Sequence, residues 1–158
     1  VWRVVPRTVV AFVPSLARPD DAFAARMLPP CEYALYARMD ARDRLHACQV
    51  AKALQAEGGA SGALLRAALL HDVGKSVHPY RAWERIAFHL FVPRALPASP
   101  ALQGFRRAQQ VHVHHAAYGA ALIREAGGDA RVTELVARHH DPGQDEEARR
   151  LERLERLF

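Results

Sequence analysis

The chain has no asparagine, only two cysteines, two lysines and two isoleucines, and no apolar run long enough to cross a membrane. Each shortage excludes something. Cys31 and Cys48 cannot build a disulfide framework, and without a C-x-x-C pair there is no thiolate zinc clamp. A reducing, cytoplasmic setting is the expectation. Arg3 and Arg7 ahead of Val9–Val13 loosely resemble a leader, but the stretch is short and Pro14 interrupts it, so no leader is expected. With Lys confined to Lys52 and Lys75, the net charge of +5 comes from arginine dispersed along an alanine-rich chain. That charge is not interleaved with aromatics, so nucleic acid ranks last among partners. Repeats, low-complexity linkers and strand patterns are missing too, which leaves helix as the structural material.

What is present suffices for one domain. A chain of 158 residues, half of them hydrophobic, can bury a core without covalent or metal staples. Residues 1–19 are irregular and punctuated by Pro6, Pro14 and Pro19. From Asp20 onward the pattern predicts helices, each with its own start and stop. Asp20, Asp40 or Asp43, Ser61 or Gly62, Asp129 and Asp145 are the candidate starts. Pro29-Pro30, Gly58-Gly59, Gly74, Gly127-Gly128 and Asp141-Pro142-Gly143 are the stops. The region 76–110 carries a helical pattern through Trp83, Ile86, Ala87, Leu90 and Phe91 before Pro93, Pro97 and Pro100 break it. The fold class is all-α.

Against that background nine histidines are an excess. His46 shares a helical stripe with Val50 and Leu54, and His71 continues that of Leu64 and Ala68. Asp72 continues Leu65 and Leu69, while His139 and His140 follow Val132 and Val136. With His115, this predicts five inward imidazoles and one inward carboxylate on separate helices. A single buried histidine is more often a satisfied core residue than a ligand. The joint pattern favours a divalent metal, because so many buried polar groups need a common partner. Imidazole nitrogen with a bridging carboxylate suits first-row metals.

In their order, His46, Leu70-His71-Asp72-Val73-Gly74-Lys75, His115-x-x-x-Gly119 and His139-His140 resemble the HD-domain metal-dependent phosphohydrolase superfamily. Leu28-Pro29-Pro30 and Arg44-x-His46 add a closer likeness to small bacterial HD proteins of undefined substrate. The resemblance covers residues 31–158 as the HD domain and leaves 1–30 as an N-terminal extension packing on it. It implies an HD-domain helical bundle with a buried site for one or two divalent ions of iron, manganese, zinc, nickel or magnesium. Carried over by position, His46, His71 and Asp72 would hold one ion, and Asp72 would bridge to a second held by His115, His139 and His140. His115 is preferred to its neighbour His114 because of its spacing to Gly119, a small residue that leaves room for a neighbouring helix or a phosphate. The family closes its first site with an aspartate on the last helix. Here Arg149–Arg156 contains none, and Glu155 is the positional match.

The activity this implies is hydrolysis of a nucleotide or another small phosphate ester by a metal-activated hydroxide. Asp72 is the bridging and catalytic carboxylate, and Lys75 is placed to meet a phosphate, with Arg42 and Arg81 as further substrate contacts. Arg44 could add another phosphate contact. The stretch Val77–Gln110, with Tyr80, Trp83, Phe88, Phe91 and Phe105, would cover the site. Two other readings share the ligand set: a mixed-valent di-iron oxygenase of the same fold, and a degenerate nucleotide-binding regulatory domain. His78, His89 and His112 take no role, and Cys48 reads as core.

Overall fold

A computed structural model describes residues 17–78, 83, 84, 87, 96–98 and 102–158. Its helices are α1 (Asp21–Met27), α2 (Pro30–Tyr36), α3 (Ala41–Glu57), α4 (Gly62–Leu70), α5 (Gly104–Glu125), α6 (Ala130–Arg138) and α7 (Glu146–Glu155). A short 3-10 helix, Val73–Val77, follows α4. There is no strand among the described residues, and no helix among them is long and apolar enough to cross a membrane. The fold is all-α.

The helix starts obey elementary capping chemistry. The side chains of Asp20, Asp40, Ser61, Asp129 and Asp145 each accept a hydrogen bond from a backbone N–H of the first turn, groups that otherwise lack an intrahelical partner. Asp43, the rival start for α3, is instead buried in its first turn. Pro30 is the first residue of α2, where its missing N–H costs nothing, so the Pro29-Pro30 pair opens one helix as well as closing another. Gly58 and Gly127 leave α3 and α5 at φ of 79° and 74°, a conformation that favours glycine.

Helix α4 organises the bundle. Its sequence GALLRAALL is apolar on nearly every side, and Leu64, Leu65 and Ala67–Leu70 are all buried. It packs against α3, α6 and α7, while α5 packs against α6 and the 3-10 helix. Phe23 and Ala24 of α1 and Leu28 just after it join the same core; residues 1–16 lie outside the described residues. Glu32, fully buried, ties α2 to two other parts of the fold. It accepts hydrogen bonds from Nε (2.8 Å) and Nη2 of Arg66 on α4, and from the backbone N–H of Asp129 ahead of α6. A buried carboxylate needs that many donors.

Gly74 acts differently from the helix stop its sequence position suggests. α4 already ends at Leu70, and Gly74 does not adopt positive φ. Its role is steric. A Cβ there would overlap the carbonyl oxygen of His115 and stand 2.7 Å from the backbone nitrogen of Gly119. Gly119 reciprocates, with the Gly74 nitrogen and the side chains of Val73 and Val136 all 3.2 Å from where its own Cβ would be. The small residue after His115 therefore makes room for neighbouring backbone, and the two glycines press the His71-Asp72 segment against α5. Replacing Gly74 by Ala should cost about 3 kcal/mol, because backbone rather than a flexible side chain must move. Urea denaturation would measure this, and an unchanged midpoint would contradict the close approach.

Candidate metal centre

The position of the site follows from that packing. His71 caps the C-terminus of the buried α4, and Asp72 begins the 3-10 helix. His115 faces them from mid-α5, and His139 caps the C-terminus of α6 with His140 next to it. His46 stands one turn into α3, its ring 5.2 Å from that of His71. Two groups result, His46–His71–Asp72 and His115–His139–His140, each with ligand atoms within 4.8 Å of one another. Asp72 touches both: Oδ2 is 3.6 Å from Nε2 of His71 and Oδ1 is 3.4 Å from Nε2 of His115.

Backbone geometry sets the protonation of three of these rings. Nδ1 of His71, His115 and His139 donates to the carbonyl three residues earlier: Ala68 at 2.8 Å, His112 at 2.6 Å and Val136 at 2.7 Å. Ala68 and Val136 lie in the last turns of α4 and α6, where carbonyls lack intrahelical donors and accept readily. Each neutral ring therefore carries its proton on Nδ1 and presents a bare Nε2 lone pair to the centre. The Nε2 atoms of His115 and His139 are 3.2 Å apart, and that of His140 is 3.0 Å from His115. Two bare acceptors at that separation repel, whereas a shared cation would satisfy both. Nε2 of His71 is buried without a hydrogen-bond partner, which a cation at the centre would remedy. The donor set fits a divalent metal.

Electrostatics keeps the ligands in their binding forms. Burial, reinforced by the Lys75 ammonium, pushes His115 down to about 3 despite the opposing Asp72 carboxylate. Burial and the neighbouring imidazoles hold His139 well below its ordinary value, and burial lowers His140 against the pull of Glu155. For Asp72 burial alone would favour the acid, but Lys75, His71, His115 and His46 outweigh it and hold the carboxyl well below the usual range. Nζ of Lys75 is 2.6 Å from Asp72 Oδ1 as an ion pair.

Several expected residues take other positions. His140 is not inward like the rest: its side chain is 47% exposed in the turn after α6, although its Nε2 still reaches His115. His114 points away from the centre and donates Nε2–H to the Leu96 carbonyl at 2.8 Å. Glu155, at the end of α7, belongs to neither ligand group and lies 3.9 Å from Nδ1 of His140. Arg42 spends Nε and Nη2 on Asp40, so a phosphate would have to compete with that carboxylate. Arg44 is engaged by Asp21 at 2.6 Å. Arg81 lies outside the described residues, as do Tyr80, Phe88 and Phe91, while Trp83 stacks on Phe105 with centroids 5.2 Å apart. The Glu32–Arg66 pair escaped sequence reasoning, because nothing local marks a buried glutamate whose partners lie 34 and 97 positions away.

Compared with known proteins, residues 44–157 match the HD domain family. No curated protein and no solved structure matches the chain.

The depressed histidines fix a pH dependence. Between their folded values and 6.5, the unfolded chain binds more protons than the folded one, so stability falls as pH falls through that window. Asp72 extends the loss in the same direction below 3.8. Metal-free protein should keep its full thermal stability above about pH 6.5 and lose up to about 1.4 kcal/mol per pH unit for each such histidine below it. Thermal melts between pH 8 and pH 4 would check this, and a flat profile would contradict it.

Proposed function

The chain belongs to the HD domain family, most of whose members are metal-dependent phosphohydrolases, and on that premise we propose that it hydrolyses a nucleotide or another small phosphate ester. In this reading residues 31–158 form the catalytic domain and 1–30 an extension packed on it. The observation that carries the reading is the division of Asp72, with one carboxylate oxygen beside each histidine group. His46, His71 and Asp72 would hold one ion and His115, His139 and His140 a second, with Asp72 placed between the two groups.

Divalent ions so held would supply Lewis acidity and hydroxide at neutral pH. The chain's own groups prepare for that chemistry. The Nδ1 bonds of His71, His115 and His139 hold three rings in the orientation and tautomer that ligation needs. Lys75 neutralises Asp72 in the protein alone, and its ammonium could turn to a substrate phosphate if that carboxylate served an ion instead. With 18% of its side chain exposed, Lys75 stands at the edge of the centre, where a phosphoryl oxygen would meet its ammonium.

Chelation should abolish phosphate release from a panel of nucleotides and small phosphate esters, and the cognate ion should restore it. His71→Ala and Asp72→Ala should each lower kcat/KM by about 10³-fold, the scale of several kcal/mol of lost charge stabilisation. Equal phosphate release by the variants would refute the hydrolase. Iron-dependent oxygen consumption without phosphate release would instead identify an oxygenase on the same ligands.

A further inference from the structure

Five rings gather around Asp72, and three of them, His71, His115 and His139, owe their orientation to a backbone carbonyl. His140 differs: among the described residues its Nδ1 makes no backbone hydrogen bond, and its ring is held by no helix, since α6 ends at Arg138. What stands behind that ring is Glu155. Its Oε2 is buried without a hydrogen-bond partner, and it lies 3.9 Å from Nδ1 of His140, the nitrogen on the far side of the ring from the one that meets His115. That separation is about 1 Å beyond a hydrogen bond, within reach of a side-chain adjustment.

We infer that Glu155 is a positioning residue for His140 rather than a metal ligand: it accepts the Nδ1 proton and turns the bare Nε2 toward the centre. The inference rests on the metal-centre reading above and assigns the last helix a different role in it. The alternative protonation shows why the role matters. A proton on Nε2 would be donated to Nε2 of His115, 3.0 Å away, and that bond would occupy two ligand atoms at once. An anion on the opposite side of the ring draws the proton to Nδ1 and leaves both Nε2 atoms available. The alternative role, closing the first ion, requires Glu155 to stand with His46, His71 and Asp72. It does not. The exposure of His140 adds a reason for the device, since its ring packs on the imidazoles of His115 and His139 but is open to solvent over nearly half its surface.

The test uses the full chain and three variants, Glu155→Gln, Glu155→Ala and Glu155→Asp, with two readouts. The first is the 15N shifts of the His140 ring in metal-free protein, which report the tautomer directly. Wild type and Glu155→Gln, whose amide oxygen can still accept, should hold the proton on Nδ1, and Glu155→Ala should move it to Nε2. The same tautomer in all of them overturns the proposal. The second is titration with zinc and with manganese. Glu155→Ala should keep the wild-type number of ions and bind one of them about 10–100-fold more weakly, as removal of an outer partner of a ligand does. Glu155→Gln should stay close to wild type, and the shorter Glu155→Asp should fall between. Loss of one ion in both Glu155→Ala and Glu155→Gln would make Glu155 a ligand and overturn the proposal. Wild-type protein that takes up no ion while the tautomer result stands would refute the metal centre alone.

Discussion

The structure depends on a conflict between lone pairs. His115 and His139 have each given their single ring proton to a backbone carbonyl, so their Nε2 atoms meet 3.2 Å apart as bare acceptors. Protonation would relieve the repulsion, but burial keeps both rings from taking a proton. A divalent cation would relieve it and would also give Nε2 of His71 the partner that buried atom lacks. The fold is arranged to sustain that conflict. An apolar α4 carries His71 and Asp72 into the middle of the bundle, and two glycines remove the side chains that would keep α5 away.

Helix ends are the recurring instrument. His71 and His139 both sit at C-caps, where a carbonyl three residues back has no intrahelical donor. One bond then does two things: it satisfies the helix end and it chooses the tautomer. This is a physical reason for the His-Asp and His-His pairs to follow helices immediately, where a mid-helix position would offer no free carbonyl. His115 shows the limit of the rule, since it obtains the same bond within α5. Lys75 completes the arrangement as a resident cation, balancing a carboxylate that burial would otherwise protonate.

Much of this was legible in the sequence because its determinants are local. Caps at Asp20, Asp129 and Asp145 are read from one side chain and the turn that follows it, and the apolar stripes of α4 carry His71 and Asp72 inward. The gathering of His46, His71 and Asp72 follows from helical phase together with motif order. What the sequence concealed depends on distant backbone or on which side of a ring a group approaches. Gly74 reads as a helix stop until the His115 carbonyl is seen against it. His140 reads as inward from its phase with Val136, but α6 ends before it and the ring sits in a turn. Glu155 occupies the right helix, yet only the fold shows that it faces Nδ1 of His140. The Glu32–Arg66 pair has no local signature at all.

Anomalous scattering from crystals grown with manganese or iron tests the central claim most directly, because it locates ions without reference to a reaction. The expected result is a peak beside Nε2 of His71 and Asp72, and a second among His115, His139 and His140, with Asp72 between them. Metal-replete crystals with no peak at either group would contradict it.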